Sequence, residues 1–208
     1  METKAEKVNY RLEMDRELER LENAGETPAL LLHSCCGPCS SAVLETLAGA
    51  FRLTVFYYNP NIYPEEEYRK RLAEQDRLLR EMWRGEVPRL EAPYDPPAFS
   101  AAAAGLEGEP EGGARCERCF RLRLEKTAAA AREHGFPYFT TTLSVSPHKN
   151  AQLLNRLGGE IGEAYGVKYL FSDFKKRDGY KRSLELSAQY GLYRQNYCGC
   201  EFSLRGRA

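Results

Sequence analysis

Seven cysteines stand in three tight groups, Cys35-Cys36-Gly37-Pro38-Cys39, Cys116-Glu117-Arg118-Cys119 and Cys198-Gly199-Cys200, and nowhere else in the 208 residues. A lone cysteine is usually a small buried hydrophobe, but three clusters with no strays are the pattern of metal or redox chemistry. Cys116 and Cys119 are three apart. On a helical turn they share one face and can grip one metal or two corners of a cluster. Cys35 and Cys36 are adjacent, so their side chains diverge and suit two irons of a cubane better than one small ion. Those four thiols meet the four-cysteine demand of a [4Fe–4S] cluster. Cys39, Cys198 and Cys200 are then left to hold a second metal, such as one additional iron. Alternatively, Cys198 and Cys200 close a disulfide that is strained across one glycine and easily reduced.

Two plainer chemistries compete. A structural zinc site needs four ligands in a closed tetrahedron, which two clusters supply, and it leaves three thiols idle. Cys36-Gly37-Pro38-Cys39 is also the thioredoxin-type motif, in which a helix N-terminus lowers the pKa of the first thiol. The preceding Cys35, the distant second pair and the length of the chain count against that reading.

The elements that must carry these groups follow from the hydrophobic pattern. Residues 1–27 read as a charged helical extension ending near Gly25, with Tyr10, Met14, Leu18 and Leu21 at roughly helical spacing. Strands are expected at 29–33, 53–58, 88–91, 138–143 and 168–171, and helices at 40–48, 65–83, 120–134 and 150–165. Residues 94–114 read as part loop, part short helix. Strands alternating with helices predict an α/β fold with a parallel sheet covered on both faces, in one domain spanning 1–208. Ligands of such sheets bind outside the carboxyl ends of the strands. Cys35, Cys36 and Cys39 directly follow the first strand, and Ser144 to Asn150 follow the fourth. Metal-binding loops at the carboxyl edge are therefore expected from the pattern.

Composition excludes several classes. Lys+Arg and Asp+Glu are equal at 30 each, so bulk electrostatics cannot hold nucleic acid, though a local basic patch can. No apolar run approaches the roughly 18 residues of a membrane span. The opening Met1 to Lys7 has no apolar core of a secretory signal, so a reducing cytoplasm is expected.

With the three clusters in this order, the sequence resembles the QueH-type epoxyqueuosine reductases. The resemblance is carried by Leu31-Leu32-His33-Ser34 running into the first cluster, by Tyr57-Tyr58-Asn59-Pro60-Asn61-Ile62, and by Glu109 to Gly113 leading to Arg115-Cys116-Glu117-Arg118-Cys119-Phe120. Thr141 to Asn150, and Arg182 to Ser187 through Leu192 to Gln195 up to Cys198-Gly199-Cys200, complete it, so that it spans residues 31–203. It implies an adenine nucleotide α-hydrolase-like (HUP, Rossmann-like) fold and reduction of epoxyqueuosine to queuosine at the tRNA wobble position. It also implies a [4Fe–4S] cluster on Cys35, Cys36, Cys116 and Cys119, with redox or second-metal chemistry at Cys198 and Cys200. Asp178 departs from the pattern, standing where another glycine is expected. The N-terminal extension lies outside it.

The implied reaction takes two electrons and two protons and gives an alkene plus water. No flavin or nicotinamide motif is present, so an external electron donor is expected. Cys198 and Cys200, directly or through a metal shared with Cys39, are the groups expected at the epoxide, and His148 at the strand end is the candidate proton donor. A tRNA thiolation enzyme would want an ATP-binding glycine-rich loop where Cys35 to Cys39 stand. For tRNA, Lys175, Lys176, Arg177, Lys181 and Arg182 put five positive charges within eight residues. Tyr193, with Tyr180 and Tyr190, offers an aromatic face to an unstacked anticodon base.

Overall fold

The computed structural model describes residues 7–205. Its sheet has five strands, β1 (Ala29–His33), β2 (Arg52–Phe56), β3 (Arg89–Leu90), β4 (Tyr138–Thr141) and β5 (Lys168–Tyr169), in the order β3-β2-β1-β4-β5. Every pairing is parallel. The order runs outward in both directions from β1, so the switch point lies between β1 and β4. A crevice opens there beyond the strand ends, and the loops after β1 and β4 border it.

Eight helices accompany the sheet among the described residues: α1 (Tyr10–Ala24), α2 (Gly37–Leu47), α3 (Glu65–Trp83), α4 (Pro96–Ala103), α5 (Ala114–Glu133), α6 (Ala151–Tyr165), α7 (Gly179–Gln189) and α8 (Glu201–Arg205). The run Leu30-Leu31-Leu32 is fully buried because a parallel strand is covered on both faces. Leu30 and Leu32 pack with Met14 and Leu21 of α1 and Val43, Leu44 and Leu47 of α2. Leu31 points the other way, to Phe120, Leu124 and Ala128 of α5 and Leu154, Leu157 and Ile161 of α6. No helix among the described residues is long and apolar enough to cross a membrane.

The expected elements are present, with shifted boundaries that matter for the site. The helix expected from Phe120 begins at Ala114, so Cys116 and Cys119 lie in its first turns. The helix expected from Ser40 begins at Gly37, with Pro38 in its first turn, where a missing N–H costs nothing. β2 stops at Phe56, and Tyr57 and Tyr58 are buried in the turn that follows. β4 ends at Thr141, whose hydroxyl accepts from the Leu143 N–H and turns residues Thr142–Val145 into a 3-10 helix. α7 and α8 have no counterpart among the expected elements; both are short, and α7 is rich in charge. Asp178 precedes α7 with φ +61°, in the left-handed region that favours glycine and that a short polar side chain also tolerates.

Of the extension expected over 1–27, Tyr10–Ala24 form α1, and residues 1–6 lie outside the described residues. Asn9 caps its start, accepting from the Leu12 N–H, and Gly25 ends it at φ +65°. The helix is tied to the sheet through Glu17. Its carboxylate accepts from the Tyr138 hydroxyl at 2.7 Å and pairs with Lys168 at 2.9 Å and Arg20 at 3.1 Å. Burial pushes its pKa up, but those three donors outweigh burial and hold it below 4.5. The pairing therefore stabilises the fold fully above the unfolded pKa, and that stability is lost as pH falls through the lower folded value. Glu17→Gln is expected to cost about 1–2 kcal/mol at pH 7 after allowing for solvent screening. Urea unfolding at pH 7 and again near pH 3 checks this; the two proteins should converge at the lower pH.

Candidate metal centre

The loop after β1 brings Cys35, Cys36 and Cys39 together, with all three sulfurs within 4.8 Å of one another. Cys35 Sγ and Cys36 Sγ are 3.8 Å apart. Cys36 is the N-cap of α2, and Cys39 stands in that helix's first turn. Cys36 and Cys39 donate to the Cys35 sulfur, and that, more than any other influence, holds the Cys35 thiol well below its ordinary pKa. The Cys36 thiol, as donor to Cys35 and buried, is pushed up to about 12, and Cys39 is pushed up for the same reasons. One thiolate forms readily here and opposes the next two. Three such thiols ionise together only around a cation, which is the behaviour of a metal donor set.

α5 supplies Cys116 and Cys119 from its first turns. Cys116 Sγ accepts the Gly112 N–H at 3.2 Å and packs in the same apolar layer as Cys35. Cys119 packs with Cys200 and with Phe99 of α4. Burial pushes the Cys119 thiol up to about 11, with Arg123 pulling the other way. The C-terminal pair is held through its own partners: Cys198 Sγ accepts from Lys149 Nζ at 3.1 Å, and Cys200 Sγ donates to the Ser203 hydroxyl at 3.5 Å. No disulfide joins Cys198 and Cys200. All seven cysteines are free thiols, and these two sulfurs engage different neighbours.

Two cations link the three groups. Arg123 is 2% exposed, pairs with no carboxylate among the described residues, and has one terminal nitrogen without a partner. Its Nε donates to the Cys119 carbonyl at 3.3 Å, and negative charge on the sulfurs of Cys119, Cys198, Cys35 and Cys116 favours its charged form against burial. A buried guanidinium needs an anion. Thiolates carrying metal, or a cluster whose four thiolates leave it net negative, meet that need, and neutral thiols do not. The donor set therefore fits the implied iron–sulfur group. Lys149 lies between Cys198 and Glu111, at 3.1 and 3.2 Å. Burial would push its ammonium toward neutrality, but Cys198 and Glu111 outweigh burial and raise its pKa.

These side chains border a cavity of about 610 Å³, lined by Cys35, Cys39 and Cys198 together with Arg71, Arg123 and Lys149. The size suits a nucleoside. Asn59, Asn61 and Gln195 also line it, and each has a side-chain oxygen without a partner. Gln195 donates its amide to Cys36 Sγ at 3.1 Å. Gly199, at φ +121°, lets the turn between Cys198 and Cys200 lie against Arg71, which a Cβ would meet at 3.0 Å.

The sequence-derived candidates divide. Cys39, expected beside Cys198 and Cys200, stands in the compact group with Cys35 and Cys36. His148 is exposed at the cavity edge, its N–H donated to the Ser146 hydroxyl. Three of the five basic residues are engaged: Lys175 with Asp173 at 2.7 Å, Arg177 with Asp15 at 2.7 Å, and Arg182 with Glu45 at 2.8 Å. Tyr193 has Lys70 over its ring at 3.4 Å and donates its hydroxyl to Glu67, so its face is covered. The thioredoxin-type alternative requires a lowered Cys36 pKa, and the shift is upward. Arg123, Lys149 and Arg71 were not anticipated. Arg123 had a legible signal, since it lies four and seven residues after Cys119 and Cys116, on the same helical face.

A parallel α/β sheet whose switch-point crevice is lined by Cys35, Cys39 and Cys198 together with a buried guanidinium, with the remaining thiols packed close by, defines a cysteine-rich protein of the metal-binding class. The chain belongs to the QueH family: a family model described as Epoxyqueuosine reductase QueH matches residues 30–206. Relatives bearing that name include one from Staphylococcus epidermidis, 44% identical over 205 residues, covering 96% of this chain and 86% of its own. One from Streptococcus pyogenes serotype M1 is 42% identical, with 96% and 80% covered, and one from Thermotoga maritima is 38% identical, with 86% and 91% covered.

Lys149→Met removes both a hydrogen bond and a positive charge from Cys198, whose pKa burial already raises. In metal-free reduced protein, alkylation of Cys198 by iodoacetamide at pH 8 should slow roughly tenfold, about one pKa unit. Peptide mass spectrometry over time measures it, and an unchanged rate would show that Lys149 does not tune this thiol.

Proposed function

We propose that this chain is an oxidoreductase that reduces epoxyqueuosine to queuosine at the wobble position of tRNA, using a [4Fe–4S] cluster. The observation that carries the proposal is the nucleoside-sized cavity, in a QueH-family chain, that Cys35, Cys39 and Cys198 line together with the buried Arg123. One catalytic domain spanning 1–208, with the charged helical extension at its N terminus, is part of the same proposal.

Cys35, Cys36, Cys116 and Cys119 are the residues proposed to hold the cluster, which when bound supplies electrons singly. Cys198 and Cys200 are proposed to hold one additional iron that would supply Lewis acidity, with Cys39, which lines the same cavity as Cys198, turning out of its group to serve as third ligand; without that iron, Cys198 and Cys200 act as a dithiol. In the dithiol case the balance is complete within the chain. Two thiols become a disulfide and release two electrons and two protons, while the epoxide takes both and leaves as alkene and water. An external donor then restores the thiols.

The remaining residues bind and protonate. Lys149, charged and within hydrogen-bond distance of Cys198 Sγ, favours the thiolate and stands where negative charge develops on the departing oxygen. His148, at the cavity edge, is the proposed proton source. The unpartnered oxygens of Asn59 and Asn61 suit the N–H edge of a guanine-like base, and the free Arg71 nitrogen suits its carbonyl. Lys176 and Lys181, with Lys175, Arg177 and Arg182, face the tRNA, and a role for Tyr193 requires Lys70 to leave its ring.

Iron, zinc and acid-labile sulfide in anaerobically purified protein test the cofactor. About four sulfides and four or five irons per chain, with an EPR signal after dithionite, are expected. Zinc without sulfide would make the cysteines a staple. The Cys198→Ser/Cys200→Ser protein should keep its sulfide and lose turnover on epoxyqueuosine-containing tRNA; full turnover would remove that pair from the reaction.

A further inference from the structure

α1 lies outside the residues matched by the family model, which begins at Leu30. It is nonetheless firmly placed. Besides the Glu17 contacts, Tyr10 stacks on Phe171 at 5.6 Å and the Val8 carbonyl accepts from Gln152 at 2.7 Å. Between the start of α1 and the segment joining β5 to α7 runs a second cavity, of about 980 Å³. Six cations line it, Lys7, Arg11, Lys149, Lys175, Lys176 and Arg177, against only two acids, Asp15 and Asp173.

Three features make this more than a solvated charged face. Asp15 and Asp173 pair with Arg11, Arg177 and Lys175 and fix them in place, while Lys7 and Lys176 have no carboxylate partner among the described residues. Val8 and Leu12 also line it and are 44% and 42% exposed, an apolar surface that a charged wall does not need. Cations beside an exposed apolar floor are what a single-stranded nucleic acid uses, phosphates on the former and a ribose or base on the latter. Lys149 lines this groove and the thiol cavity alike, so the two adjoin.

We infer that the groove between α1 and the β5–α7 segment holds the phosphate backbone of the RNA strand whose reacting nucleoside enters the thiol cavity. This rests on the tRNA substrate proposed above. α1 is thus a wall of the RNA site, and Lys7 and Lys176 are its free phosphate contacts.

The test is binding of unmodified tRNA, by fluorescence anisotropy across a potassium chloride series, to the wild-type protein, Lys7→Glu/Lys176→Glu, and Arg132→Glu. Arg132 is exposed near the C-terminal end of α5, before β4, at the edge of the sheet away from the thiols. The double variant should bind at least tenfold more weakly, with the slope of log affinity against log salt shallower by about one to two. Arg132→Glu should bind as wild type. Affinity of the double variant within twofold of wild type, or an equal loss in Arg132→Glu, overturns the inference. If the double variant misfolds by circular dichroism, Lys176→Glu alone carries the comparison, with a slope change of about 0.7. Wild-type protein that binds tRNA through this groove but does not reduce epoxyqueuosine would overturn the reductase proposal alone.

Discussion

A buried guanidinium with no carboxylate partner among the described residues, set beside the cysteines, is the constraint around which the carboxyl edge of this sheet is organised. Arg123 sits in the interior because α5 must present Cys116, Cys119 and Arg123 on one face while Leu124 and Ala128 pack on the sheet. Its charge is tolerable only if the surrounding thiols carry negative charge. The same requirement makes the site intolerant of neutral filling. A zinc staple on two of the three cysteine groups would satisfy Arg123 only in part and leave other thiols protonated and buried.

The neighbouring groups show the same economy. His33, inside β1, is held neutral: burial first, then Arg123, lowers its pKa to about 3, and its ring bonds Thr141 and the Tyr58 carbonyl. The histidine closest in sequence to the first cysteines is therefore a strut between β1, β4 and the β2 turn rather than a ligand. Ser34, Ser40 and Gln75 form a second strut under the Cys36 loop, with Ser34 Oγ donating to Gln75 at 2.7 Å. The loop that carries three thiols is thus braced from beneath by polar contacts, while Cys35 and Cys39 line the cavity.

Much of this was legible in the amino-acid sequence. Short apolar runs alternating with amphipathic helices disclosed the parallel sheet, because a strand covered on both faces has no polar alternation. The cysteine spacing disclosed where chemistry would gather. What stayed hidden was non-local. Lys149 reads as one surface lysine after a Pro-His step until the chain returns at residue 198 and puts a sulfur beside it. The basic stretch from Lys175 to Arg182 read as open charge because the partners of Arg177 and Arg182, Asp15 and Glu45, belong to α1 and α2. α7 escaped detection since its two leucines, Leu184 and Leu186, are two apart and do not mark a helical face. Helix starts were misplaced where caps lacked the usual side-chain signal, as at Gly113 before α5 and Cys36 before α2.

The sulfurs are also spread along the chain in a way that bears on how the protein is made. During synthesis Cys35, Cys36 and Cys39 leave the ribosome well before Cys198 and Cys200. About eighty residues separate Cys119 from Cys198, which at 5–20 residues per second is roughly 4–16 s of translation. Throughout that interval five thiols and Arg123 exist without Lys149's partner or the turn at Gly199. A nascent chain in that state offers an incomplete, electron-rich pocket to whatever soft metal is abundant. Whatever selectivity Cys198 and Cys200 contribute to the site is therefore absent until the C-terminal turn has formed.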